Sequence, residues 1–405
     1  MANLQKFSLS CLILFLIGAV NTAPLSAQIG NGLGTGKFGT FNTYSAFAME
    51  PGFLTMSNQG RIFASTGQSG NFATTVKNVN LYHASNNFTF VYGFMDHFDA
   101  LVSIATYQDL NIRRLGSKQA TTPGDLYVTV RGGSFEVMDG KIGLGAAISS
   151  RIPTGGQNNV PFEVYKSRNA EFGLLTMASL YGNPYYKDQA YLINFNLGFW
   201  YYNDNGTVVS PIKNATTSSL TESNVNSTSL QYGFGVLFPL NKVQLMLDAY
   251  GISYLTKPVK HAYSRESFTY VTPGLKYNLR SWVNFGVYVD ILMTGKTDKT
   301  YYPLDQSTGV TKPGEIRDRN TGAIITKGAP NYNSWRLGFN LGFNILPVGF
   351  SSAPTEQRRK RLLDRLVEEE RGAQKAANQL DKLKSVRLNA EKELEKIKLE
   401  LEGGQ

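Results

Sequence analysis

The stretch Ser334 to Leu346 alternates with a period of two. Trp335, Leu337, Phe339, Leu341, Phe343 and Ile345 fall on one face, and Arg336, Gly338, Asn340, Gly342 and Asn344 on the other. Successive side chains of a strand point to opposite sides, so this is a strand with one apolar face and one small or polar face. Similar stretches recur along the chain. Repeated strands of this kind, apolar outside and polar inside, are the pattern of an all-β transmembrane antiparallel barrel.

Five strand pairs are joined by short turns. Phe88 to Phe94 and Ala100 to Tyr107 flank Met95-Asp96-His97-Phe98, and Leu126 to Arg131 and Ile142 to Arg151 flank Met138-Asp139-Gly140-Lys141. Glu171 to Tyr181 and Tyr191 to Tyr202 surround Asn183-Pro184. Leu230 to Phe238 and Val243 to Tyr250 flank Pro239-Leu240-Asn241-Lys242, and Val271 to Leu279 and Val283 to Ile291 flank Arg280-Ser281. Gly, Asn, Asp and Pro at the bends are turn chemistry. Long connections separate the pairs, roughly Asn111 to Gly124, Pro153 to Ala170, Asn203 to Ser229, Thr256 to Ser267 and Thr294 to Asn333. Short periplasmic turns and long external loops are the habit of outer-membrane barrels.

These hairpins, with a first strand at Lys37 to Phe47 and a last at Ser334 to Leu346, predict about 12 strands. The alternation of the first strand is poor. Gly52 to Thr66 is a further strand or part of the first external loop, which leaves 14 strands open. An even count places both termini in the periplasm. Trp200, Tyr201, Tyr202 and Trp335 are expected at the outer interface and Trp282 at the inner one, as an aromatic girdle.

From about Thr355 to Glu402 the composition changes to Leu, Ala, Glu, Lys and Arg with almost no glycine. One row at seven-residue spacing holds Leu366, Ala373, Leu380, Leu394 and Leu401, interrupted by Arg387. A second holds Leu362, Ala376, Leu383, Ala390 and Ile397, with Glu369 as its lapse. Apolar heptads predict an α-helical coiled-coil tail over 351–405, its seam formed by Leu362, Leu366, Leu380, Leu383, Leu394, Ile397 and Leu401. The expected partner is a second copy or another periplasmic protein. A single charged helix is the alternative.

The first residues carry one lysine, Lys6, then an apolar run from Leu9 to Val20, then Ala23-Pro24-Leu25-Ser26-Ala27. This predicts a secretory signal peptide over 1–27 and a barrel over 28–350. Cys11 is the only cysteine, so cleavage leaves none for disulfide or thiolate chemistry. No later segment has about 18 consecutive apolar residues, which argues against an inner-membrane helical protein. The formal net charge of +10 comes from scattered residues rather than a basic face. It suits a positive lumen or lipopolysaccharide phosphates better than nucleic acid.

Alternation directs Arg131, Arg151, Lys276 and Arg336, with Asp125, Asp248 and Asp290, into the lumen. These are the candidate pore-lining residues, because rings of charge set selectivity in a narrow barrel. The plainer reading is that they pair with one another. The loop containing Glu315 to Ile325 reads as an external hairpin able to fold inward or to stand as a receptor surface. His83 and His261 fall in or near loops and His97 in an inner turn. Neither a G-x-S-x-G elbow nor a zinc helix is present, so no enzyme activity, metal or cofactor is expected.

Several short motifs resemble the outer-membrane barrels associated with the meta pathway of phenol degradation and hydrophobic-compound uptake. They are Tyr92-Gly93-Phe94-Met95-Asp96, Gly124-Asp125, Arg151-Ile152-Pro153-Thr154-Gly155, Thr272-Pro273-Gly274-Leu275-Lys276-Tyr277 and Trp335-Arg336-Leu337. The likeness spans roughly Lys37 to Pro347, and the helical tail departs from it. It implies passive transport across the outer membrane of a Gram-negative-type bacterium. The expected function is a porin-like channel for small solutes or hydrophobic compounds. The alternative is an envelope tether whose barrel is an anchor.

Overall fold

The computed structural model describes residues 38–70, 76–111, 118–120, 124–155, 159–183, 190–213, 220–240, 242–280, 282–301, 315–317, 324–327, 330–346 and 353–402. The proposed signal peptide lies outside them. The chain divides into two compact units, with the boundary between Gly349 and Phe350.

The first unit is a closed antiparallel barrel of twelve strands. They are β1 Leu54–Gly70, β2 Val76–Met95, β3 Phe98–Asn111, β4 Leu126–Val137, β5 Ile142–Ile152 and β6 Glu171–Tyr181. They continue as β7 Leu192–Tyr201, β8 Thr228–Leu240, β9 Val243–Thr256, β10 Phe268–Arg280, β11 Val283–Thr294 and β12 Trp335–Leu346. Each strand pairs with its neighbour in sequence, and β1 pairs with β12 from Leu54↔Leu346 to Ile62↔Leu337, which closes the ring. Two short ribbons, Val208–Lys213 with Leu220–Glu222 and Glu315–Arg317 with Ile324–Lys327, lie in the long loops.

The wall obeys the period-two pattern. On β6 the exposed positions are Phe172, Leu174, Thr176 and Leu180, and the buried ones are Glu171, Gly173, Leu175, Met177, Ser179 and Tyr181. Ile148 of β5 is 67% exposed while its neighbour Ser149 is 3% exposed. An apolar outer face around a polar interior suits lipid, because closure leaves no unpaired strand edge for hydrocarbon to meet.

One expected strand is corrected. Lys37 to Phe47 is not in the wall. Residues 38–46 are irregular and buried, and the chain enters the wall only at Leu54. The stretch from Gly52 to Thr66 supplies the first strand instead, so the count of twelve stands by substitution. The physical reason is visible in the composition: Thr40, Asn42, Thr43, Tyr44 and Ser45 offer no outward apolar row for lipid.

The girdle also needs correcting. Trp335 and Trp282 are exposed as expected, but Trp200 and Tyr202 are buried at 2% and 1%. They point into the barrel, where Trp200 Nε1 donates to Glu171 at 2.8 Å.

The second unit is a single helix, Ala353–Glu402, of 50 residues. Its length is about 75 Å at 1.5 Å per residue. Leu380, Leu383, Leu394 and Ile397 are exposed along it. Leu362, Leu366 and Leu401 lie within the helix.

Candidate functional site: the filled lumen

Cross-strand register decides which interior charges meet. Asp99 of β3 lies opposite Arg131 of β4. Arg131 Nε donates to Asp99 Oδ1 at 2.9 Å, and its Nη2 donates to the other oxygen. Arg151 of β5 lies opposite Glu171 of β6 and donates to it at 2.6 Å, while its Nε donates to Asp125 at 2.8 Å. Asp290 of β11 lies opposite Arg336 of β12, with Nη2 at 2.8 Å, and takes a second guanidinium from Arg61 of β1 at 3.0 Å. Residues directly opposite on an antiparallel pair share a face, so alternation brings these charges together.

All seven residues predicted to line the lumen lie on the inner face. Five are buried, among them Arg131, Asp248 and Asp290 at 0% exposure. Lys276 and Arg336 are only partly buried. Water does not reach the five because two segments fill the barrel.

The first filling segment is residues 38–50, which take in most of the expected strand from Lys37 to Phe47. Its backbone is satisfied by wall side chains rather than by a ladder. Tyr44 N–H donates to Asn196 Oδ1 at 2.7 Å, and Asn196 Nδ2 donates back to the Tyr44 carbonyl at 2.9 Å. Ala46 N–H donates to Ser179 Oγ at 2.8 Å, Ala48 N–H to Ser134 Oγ at 3.0 Å and Met49 N–H to Asp99 at 2.6 Å. Asp248 accepts from the hydroxyls of Thr40 and Thr43 and, at 3.2 Å, from the Asn42 N–H. Buried backbone groups need such partners, each worth roughly 1 kcal/mol net.

Close approach requires glycine in the wall. A Cβ at Gly133 would lie 2.5 Å from the Ala46 carbonyl, and one at Gly274 or Gly286 would strike the Phe41 ring at 2.6 Å. The segment enters beside Leu192 and Met246, near the tight turns, reaches Asp248 and Asn196, and returns to Gly93 beside the β2–β3 turn. Both of its ends therefore lie at the tight-turn mouth.

The second filling segment is the long loop between β5 and β6. Residues 159–167 turn inward and are buried. Glu163 bridges His83 Nε2 at 3.2 Å and Lys166 Nζ at 2.6 Å. Burial alone would push the Glu163 carboxyl up, but Lys166 and His83 outweigh it and hold it down at about 2. Asn159 exchanges two hydrogen bonds of 2.8 Å with the Tyr263 backbone in the next long loop. Tyr165 donates to Asp204 at 2.5 Å. Phe162 adopts a left-handed φ of 71°, which costs an aromatic residue roughly 1–3 kcal/mol. Its ring packs near Phe63 and His83. A void of about 10 Å³ between the first segment and the wall touches Asn42, Asn196, Gln231 and Tyr250, close to the least that holds one water.

Sequence reasoning missed Arg61, Asp99, Glu163, Lys166 and Glu171. Asp99 stands one residue before a predicted strand, and Arg61 sat in the stretch left between strand and loop. His83, read as in or near a loop, is inside β2 opposite Phe63 and faces the lumen. His97 occupies the β2–β3 turn and His261 a long loop, as expected.

No family model matches the chain, and no curated protein matches it. Among solved structures it is similar to the COG4313 outer membrane channel from Pseudomonas putida F1, with TM-score 0.44 and 10% identity, covering 74% of this chain and 97% of that one. It is also similar to the NanC porin, with TM-score 0.40 and 10% identity, covering 72% and 98%. A Pseudomonas aeruginosa FadL homologue gives TM-score 0.33 and 10% identity, covering 80% and 99%. Likenesses this distant say nothing about what crosses the barrel.

Proposed function

We propose that this protein is a gated outer-membrane channel for passive passage of small solutes. The observation that carries the reading is how the lumen is filled. The obstructing segments are not part of the wall, and residues 38–50 enter and leave by the same mouth. A segment with both ends on one side withdraws without unthreading. Its holdfasts are individual side-chain contacts, each modest in net strength. The charged interior and apolar exterior suit a water-filled passage once those contacts release. In this reading the tight turns and both termini face the periplasm, lipid covers the outer wall and lipopolysaccharide the outer rim. Uptake of hydrophobic compounds, implied by the motif likeness, is the narrower version of the proposal.

Single-channel recording of the full-length protein in planar bilayers tests it. Discrete openings with long closed dwells are expected. A protein that inserts and stays silent at every voltage is a sealed barrel. That outcome favours a second reading, an anchored tether, which the exposed leucines of the 50-residue helix support.

A further inference from the structure

Most interior charges touch an opposite charge, although Arg61 and Arg336 share the single carboxylate of Asp290 and keep one positive charge in excess. Arg131 has Asp99, Arg151 has Asp125 and Glu171, Lys166 has Glu163, and Arg61 and Arg336 share Asp290. A charge held in a close pair projects little field into the passage. Among the inward-facing wall residues two charges have no counter-charge in contact. Asp248 takes only neutral donors and lies wholly beneath residues 40–43. Lys276 is the other. In the long loops the buried carboxylates Asp204 and Glu266, like Asp248, take only neutral donors.

Lys276 sits on the inner face of β10, four residues from the Arg280 end of the strand. Its cross-strand neighbours are Gln244 of β9 and Gly286 of β11. Both are uncharged, and Asn278 and Asn284 follow on the mouth side. No hydrogen bond or ion pair to Lys276 occurs among the described residues, and Gln244 Oε1 opposite it is also without a partner there. The Phe41 ring covers Gly274 and Gly286, so Lys276 stands beside the obstruction. It is also partly exposed, unlike Arg131 and Arg151. The other described charges at that mouth are Glu50 and Glu136, each with a partner, and the exposed Asp96, Asp139, Lys141, Lys242 and Arg280, of mixed sign and screened by salt.

We infer that Lys276 is the specificity-determining residue of the tight-turn mouth, giving the channel preference for small anions, inorganic or carboxylate. The inference rests on the channel reading above. One uncompensated charge beside a low-dielectric constriction acts on every ion that passes it, as charged rings do in selective pores. Arg131, Arg151 and Arg336 are then structural ties, although alternation gives all four the same address.

The test is the reversal potential of the full-length protein in planar bilayers under a KCl gradient. The wild type is expected to favour chloride. Lys276→Gln should lower the anion-to-cation permeability ratio by about 5-fold or more, and Lys276→Glu should invert the preference. Arg280→Gln on the exposed rim should change it little. Lys276→Gln adds no new charge and keeps the test available if Lys276→Glu does not fold. A conducting Lys276→Gln protein with the wild-type ratio overturns the assignment and leaves the channel reading intact. A wild type that never conducts overturns both.

Discussion

Ala46 N–H donates to Ser179 Oγ at 2.8 Å, tying the filling segment to the wall of β6. A thiol pair at these positions is therefore placed to form a disulfide, provided the Cα separation falls in the usual range of about 4.4–6.8 Å. Cys11 is the only natural cysteine and falls in the predicted signal peptide. Oxidised Ala46→Cys/Ser179→Cys protein should show no openings in planar bilayers, and reductant should restore them. Equal conductance in both redox states would mean that residues 38–50 are not the gate.

The inward loop should depend on Glu163. Its carboxyl is held at about 2 against an ordinary 4.5, so its ionised form stabilises the folded loop. The sign follows: the contribution is complete above about 4.5 and is lost as pH falls through about 2. Glu163→Gln should weaken the loop at neutral pH, because Lys166 then keeps only Asp125, at 3.7 Å. Removing one partner of a buried pair costs roughly 3–5 kcal/mol. Faster protease cleavage between Pro153 and Ala170 in the variant is the readout. Indistinguishable cleavage rates would show that the pair does not hold the loop.

Arg131 should behave as a tie across β3 and β4. Arg131→Ala leaves Asp99 buried, with the Met49 N–H as its remaining hydrogen-bond donor among the described contacts. It should destabilise the barrel by about 3–5 kcal/mol in urea unfolding. Arg131→Met with Asp99→Leu removes both charges and should recover much of the loss. A double variant no more stable than Arg131→Ala would mean that the buried charge is not the cause.

How much of this was legible depends on which residues strand geometry controls. Alternation assigns Arg131, Arg151, Asp248, Asp290 and Arg336 to the interior because a wall strand has only two faces. It cannot report that Asp290 serves two arginines, since Arg61 comes from the opposite end of the chain's barrel segment. The stretch from Lys37 to Phe47 reads as a strand in sequence although residues 38–47 are not in the wall, because a segment buried on all sides has no period to display. Its only signal was the weak alternation of the run from Lys37 to Phe47. Trp200 was misplaced because an aromatic at a strand end suits either the interface or the interior. What settles it is Glu171, its neighbour across β6 and β7.

The lipid face gives a sharper test of the wall. Ile148 projects from the middle of β5, between Val130 and Leu174 on the neighbouring strands. Ile148→Lys should cost about 2–4 kcal/mol if it meets the bilayer midplane, while Ile148→Phe should be mild. Folding yield into liposomes distinguishes them. Equal yields would place Ile148 outside the hydrocarbon.

The tail prediction concerns Leu380, Leu383, Leu394 and Ile397, which are exposed along the helix. Burying each of these side chains is worth roughly 1.5–3 kcal/mol, so another helix should cover them. Arg387 breaks the seam but is held by Glu391 at 2.8 Å, one turn on, which directs its charge along the helix surface. In a parallel in-register pair Glu393 of one helix comes opposite Lys398 of the other, and Arg365 opposite Glu370, an attractive pattern. We therefore expect self-association through the tail, most simply as a parallel dimer. Leu380→Asp with Leu394→Asp should convert the full-length protein to monomer in sedimentation experiments in mild detergent, with the barrel still folded. A wild type that sediments as a monomer at high concentration would rule out self-pairing and leave a different protein as the helix's partner.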